Sequence, residues 1–245
     1  MVALTIRHGL RMTLLASLCW FATPACACPI AVDVGHYRDR PGAISARGVA
    51  EFDFNLALAN AIGRALEQRG CQVMMVGADG NAADLGARTT HAQLASFFLS
   101  VHHDSVQEQF LKPWTDGAIQ RRYTDQFTGF ALFVSHANPA LQQSLRCASR
   151  LGAGLRAGGF MPSLYHADAM PGEQRPFADA VNGVHYFDGL VVLKTARQAA
   201  VLFEAGVILN PAEERLLSMS ATREKIATVV ATALLACVGS AQAPS

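Results

Sequence analysis

The sequence predicts an α/β chain: a mainly parallel, twisted sheet with helices on both faces, three αβα layers in all, and a site at the C-terminal ends of the strands. Three observations carry this expectation. The apolar runs Ile30–Val34, Cys71–Val76 and Phe97–Val101 are short and nearly continuous, as strands covered on both faces must be. Between the first two, Glu51–Arg69 carries Phe54, Leu58, Ile62 and Leu66, three to four residues apart, the stripe of an amphipathic helix. The resulting strand-helix-strand unit, Pro29–Val76, calls for a parallel pair joined by a right-handed crossover.

Taken in order, residues 1–27 read as a secretory signal and residues 28–245 as one domain, a size that single α/β domains commonly reach. Arg7 and Arg11 give the signal its positive start, Met12–Ala22 its apolar stretch, and Ala25, Cys26 and Ala27 a small-residue cleavage site. The stretch is too short to span a membrane. A lipid anchor at Cys26 or Cys28 is the alternative, although the aliphatic residue usual before such a cysteine is missing. Export puts the mature protein in the periplasm or outside the cell.

Removing the signal takes two arginines from the 20 Lys+Arg and none of the 19 Asp+Glu. The mature charge of −1 excludes nucleic acid as an expected partner. Four of the six cysteines remain, Cys28, Cys71, Cys147 and Cys237, an even number in an exported chain and none in a CxxC pair. Cys28 leads into the first strand and Cys71 into the second. If those strands are neighbours, their starting ends meet and the two cysteines can bridge; Cys147 and Cys237, each on a helix, form the other pair.

Further along, Gly70 ends the first helix, 77–86 is a polar loop, and Ala87–Leu94 is a short helix feeding the third strand. The stretch Asp104–Gly129 lacks periodicity and is too long for a plain connection, so it reads as a rim over the site. Phe130–Ser135 is a strand and Pro139–Ala157 a helix with Leu141, Leu145, Ala148, Leu151 and Leu155 on one face. Gly158–Asp188 reads as loop, Leu190–Leu193 and Ala200–Glu204 as strands, the latter central. Pro211, with Asn210 as cap, opens a closing helix that runs to Cys237.

Strand ends place the chemistry. His36 follows the first strand, His102 the third, Glu204 ends the last, and Glu51 opens the first helix on the same side. Two imidazoles and a carboxylate are a ligand set for catalytic Zn²⁺, with a second carboxylate left to work on water. Adjacent strand residues face opposite ways; the reading favours His102, with His103 as its alternative. His91, His136, His166 and His185 read as surface or loop histidines. Glu173, Arg175, Asn182 and Lys194 read as a solvated loop face, and Trp114 and Tyr123 as residues that stack on sugar or pin the loop.

Four stretches in order, VDVGH followed by PGA, Glu51 ahead of NLALA, SVHHDS and VLFEAGVILNPAEE, resemble the zinc-dependent N-acetylmuramoyl-L-alanine amidases, whose pattern runs roughly DPGHGG, Glu before NLAIA, SIHAD and VLVEIGFLSN. Leu85 and Arg88 also match an L-x-x-R of that family. The resemblance implies that His36, Glu51 and His102 bind zinc, that Glu204 is the catalytic acid/base, and that the reaction is hydrolysis of the amide between N-acetylmuramic acid and L-alanine in peptidoglycan. Tyr37 and Arg38 stand where the family has glycines, His103 replaces a small residue, and the basic residue and aspartate usual after the second strand are missing from VGADG. These departures bear on substrate preference. The expected partners are peptidoglycan or a muropeptide and a possible regulatory protein, for a monomer without a membrane span. A zinc hydrolase of soluble muropeptides or free peptides, and a non-catalytic peptidoglycan-binding protein of the same fold, are the competing readings.

Overall fold

The computed structural model describes residues 28–238; the expected signal, 1–27, lies outside them. In chain order the elements are β1 (Pro29–Val34), α1 (Glu51–Glu67), β2 (Gln72–Val76), α2 (Leu85–His91), β3 (Phe97–Asp104), β4 (Lys112–Asp116), β5 (Ile119–Tyr123), β6 (Ala131–Val134), α3 (Leu141–Ala157), β7 (Phe177–Asp179), β8 (Val184–Tyr186), α4 (Val191–Thr195), β9 (Ala199–Val207), α5 (Pro211–Ser218) and α6 (Ser220–Val238). Seven strands form one sheet in the order β2-β1-β3-β9-β6-β8-β7, and β4 and β5 pair separately. The run β2-β1-β3-β9 is parallel, as is β6 with β8; β6 against β9 and β7 against β8 are antiparallel. The three-layer αβα architecture is as the sequence predicts.

Strand side chains alternate between faces, and both faces are buried here. Val32, Leu99, Val101, Val201 and Phe203 join residues of α1, α3 and α6 in the larger core. Ala31, Phe98, Ala131, Phe133, Ala200 and Leu202 form a smaller core with Val192 and Leu193 of α4. The same alternation carries His102 and Glu204 onto the second face, and His103 onto the first.

Several local expectations are corrected. Leu190–Leu193 is not a strand: Val191–Thr195 forms a helical turn, with Leu193 and Lys194 N–H groups donating to Leu190 O. A four-residue apolar run fits either state, and tertiary burial of Val192 and Leu193 decides it. The stretch Asp104–Gly129 is no bare loop, since it folds the hairpin β4–β5 around Gly117 (φ 62°). Gly158–Asp188 contains β8 and the edge strand β7. The closing helix is two, α5 and α6, broken at Met219 (ψ 130°). Asn210 caps α5, its side chain accepting from the Ala212 and Glu213 N–H groups.

β1 and β2 are neighbours, with Pro29 opposite Gln72, so Cys28 and Cys71 meet with Cα atoms 4.9 Å apart and are bonded. Cys147 of α3 and Cys237 of α6 form the second disulfide, Cα–Cα 5.4 Å, closing a separation of 90 residues. Loop-closure entropy gives a bridge of that span roughly 4–5 kcal/mol. The double variant Cys147→Ala/Cys237→Ala is therefore expected to lose several kcal/mol in urea unfolding, and an unchanged midpoint would contradict it.

Candidate metal centre and its surroundings

His36 leaves β1 in the left-handed region, φ 67°, a conformation costly for an L-residue and typical of functional sites. Two glycines make room for it. A Cβ on Gly35 would lie 2.4 Å from the His102 ring, and one on Gly42 (φ 80°) 2.2 Å from Glu51 Oε2 and 2.7 Å from the His36 ring. Buried Arg88 holds the loop behind, donating to Asp33 Oδ1 (2.7 Å), Val34 O (2.5 Å) and His36 O. Arg88 thus fixes the backbone of His36 from α2.

Glu51, the first residue of α1, is 4% exposed. Its Oε2 lies 3.0 Å from His36 Nε2 and its Oε1 3.1 Å from His102 Nδ1. Ala43 N and Asn55 Nδ2 also donate to it, each at 3.1 Å. Burial by itself would raise the Glu51 pKa, but the hydrogen bonds and charges of His102 and His36 outweigh it and hold the carboxyl well below the usual range. One ligand atom from each of the three residues lies within 4.8 Å of the others. Donors about 2.1 Å from a tetrahedral zinc stand about 3.4 Å apart, so a carboxylate flanked by two imidazole nitrogens fits that ion. Among the described residues no other such group of three occurs.

His103 lies on the opposite face, 2% exposed, its Nδ1 2.8 Å from Asn55 Oδ1. Burial pushes its pKa down to about 3. Asn55 also donates to Gly35 O at 3.2 Å, so the His103–Asn55 pair braces Glu51 and the His36 turn from below. A polar residue four positions after Glu51, on the buried side of α1, is the sequence signal for it.

Glu204 stands opposite His102 in the β3–β9 register and opposite Ala131 of β6. Its Oε2 is enclosed without a hydrogen-bond partner. Burial first, then the charges of Asp104 and Glu51, raise its pKa well above the carboxylate range, against the pull of Arg175.

Beyond Glu204 the sequence reading needs correction. His166 and His185 are buried, at 4% and 0% exposure, and Glu173 and Arg175 are not a solvated face. His166 Nε2 lies 2.9 Å from Asp104 Oδ2 without hydrogen-bond alignment, and its Nδ1 2.9 Å from Glu173 Oε2. Tyr165 donates to Asp104 Oδ2 at 2.5 Å, Gln107 to Glu173 Oε1 at 3.0 Å, and Arg175 pairs with Glu173. Lys194 does stay exposed, as do His91 and His136, whereas Asn182 is half-buried and its Nδ2 donates to Asp179 Oδ2 at 2.7 Å. Trp114 pins the hairpin, its Nε1 donating to Ala46 O at 3.1 Å.

Burial opposes charge on His166, but Asp104 and Glu173 prevail and raise its pKa to about 9. Since the folded value exceeds the ordinary 6.5, its stabilising effect is complete below pH 6.5 and is lost as pH rises through 9. Urea unfolding of metal-free protein is expected to show a loss of at most about 3 kcal/mol between pH 6 and 9.5. The comparison is His166→Gln, in which that loss should shrink; an equal pH slope in both proteins would contradict the assignment.

Likeness to known proteins agrees with this geometry. The catalytic domain of CwlV, an amidase from Bacillus (Paenibacillus) polymyxa, is 21% identical, with TM-score 0.62 over 85% of this chain and 96% of that one. For the N-acetylmuramyl-L-alanine amidase Ami1 of Mycobacterium smegmatis the figures are 19%, 0.69, 86% and 97%, and for an amidase of Clostridium difficile 630 they are 19%, 0.67, 87% and 98%. At such identities these establish the fold. No curated protein sequence matches significantly. The profile of one family, described as N-acetylmuramoyl-L-alanine amidase, matches residues 30–236, a span that starts inside β1, ends near the close of α6 and takes in every strand end of the site; the chain belongs to that family of zinc-dependent hydrolases, which cleave the amide between N-acetylmuramic acid and L-alanine.

Proposed function

We propose that His36, Glu51 and His102 hold the catalytic zinc of this peptidoglycan amidase and that Glu204 is its acid/base. The observation that carries the reading is the convergence of the three donor groups beside a carboxylate whose Oε2 is enclosed and unpaired. When bound, zinc supplies Lewis acidity, polarising the scissile carbonyl and making an attacking water available near neutral pH. Glu204 takes the proton of that water as it attacks the lactyl carbonyl and returns it to the departing alanine nitrogen. Asn55 and the Ala43 N–H keep Glu51 oriented toward the two histidines.

The reading extends to the whole chain: residues 1–27 direct export, residues 28–245 form the catalytic domain, and the enzyme works as a monomer in the periplasm or outside the cell, under control of a regulatory protein. No helix among the described residues is long and apolar enough to cross a membrane. The test of the activity is digestion of purified sacculi followed by mass spectrometry of the released ends. New L-alanine amino termini are expected; new reducing sugar ends or cleavage within the stem peptide would replace this reading with a glycosidase or endopeptidase.

A further inference from the structure

Beside the triad the structure opens a cavity of about 280 Å³, bounded on one side by the His36 and His102 rings. Its other walls are mainly apolar, with Leu85 at the start of α2, Leu190 and Val191 at the start of α4, and Leu202 of β9. The buried polar groups among its lining are already engaged, because Arg88 donates to Asp33 Oδ1 and Ser100 donates to Asp33 Oδ2 at 2.7 Å. They leave nothing to greet a polar guest. Glu204 does not line the cavity.

We propose that this cavity is the acyl-side subsite of the enzyme and takes the 2-acetamido group of the muramoyl sugar. The proposal rests on the amidase reading and on the role of Glu204 in it. A group that returns a proton to the leaving nitrogen must lie within hydrogen-bond reach of that nitrogen, so the amine half of the substrate belongs on the Glu204 side. The cavity is left to the acyl half. Whole-ligand pockets begin at roughly 300 Å³, so this one takes a part of the substrate and not a whole disaccharide-peptide. The lactyl methyl is wholly apolar and would leave Tyr37 and Arg40, which line the same space, without a partner. An acetamido group brings a methyl for the apolar walls and a carbonyl for donors, and Tyr37 and the exposed Arg40 line the same cavity. An ammonium in place of the acetamide would meet apolar walls and a like charge, both unfavourable.

Two soluble muropeptides differing only by the acetyl group on the sugar nitrogen test this with the zinc-loaded enzyme. The N-acetylated substrate should be favoured in kcat/KM by about tenfold to a hundredfold, the range a filled apolar pocket gives, and mainly through KM. Leu85→Trp, made at a partly exposed position, narrows the cavity and should bring that ratio toward one at wild-type zinc content. Val191→Phe does the same from α4 and replaces it if Leu85→Trp fails to fold or to hold zinc. A ratio near one in the wild type, or a ratio that neither filling variant lowers, overturns the subsite. If the wild type cleaves neither substrate, the amidase reading itself falls.

Discussion

Glu204→Gln is expected to keep its zinc and lose its turnover. The amide preserves size and one acceptor, leaves His36, Glu51 and His102 untouched, and removes only the group that carries the proton. General acid/base groups contribute about 10²- to 10⁴-fold, so kcat for amide cleavage should fall by that order with KM little changed. Folding should survive, because Glu204 Oε2 has no partner to lose. Loss of zinc in this variant would make Glu204 a ligand and require another role for Glu51. Retention of both zinc and full activity would refute the mechanism.

Removing a ligand should have the complementary effect. His36→Ala leaves two donors, too few to hold a catalytic Zn²⁺ against a chelator, and both metal content and activity are expected to reach background. The substitution also puts alanine at φ 67°, which costs about 1–2 kcal/mol. His36→Asn separates the two effects, since asparagine tolerates the left-handed region yet cannot replace the imidazole. It should fold more stably than His36→Ala and be equally metal-free. His102→Ala should also lose zinc, whereas His103→Ala should keep it, as His103 faces Asn55 on the other side of the sheet. Zinc bound at one equivalent in His36→Ala would remove that residue from the ligand set.

The parts legible in the sequence are those set by local pattern. Continuous apolar runs announced β1, β2, β3 and β9, the stripe of Phe54, Leu58, Ile62 and Leu66 announced α1, and His36 past β1, His102 at the end of the apolar run of β3 and Glu51 at the head of α1 marked the triad. Cys28 and Cys71 could be paired because parallel neighbours align their starting ends. What stayed hidden depends on contacts distant in the chain. Val191–Thr195 becomes helix because it packs on the small core against α2, where Thr89 Oγ1 and Thr195 Oγ1 lie 3.0 Å apart. Tyr165, His166, Glu173 and Arg175 look like loop residues until that segment folds onto Asp104. Only then do five polar side chains acquire partners.

The place of β9 has a consequence for how the protein comes into being. It is the last strand made and yet sits between β3 and β6, so the middle of the sheet is the last part of the chain to arrive. Until residues 199–207 emerge, β3 and β6 each present a bare edge, the kind of template that invites pairing with another chain. The first disulfide links residues 28 and 71 and can close early, while the second waits for Cys237. All three residues of the metal triad lie in the first 102 positions, and Glu204 follows a hundred residues later. A chain cut short before β9 can carry every candidate ligand, but it has an open sheet and no acid/base.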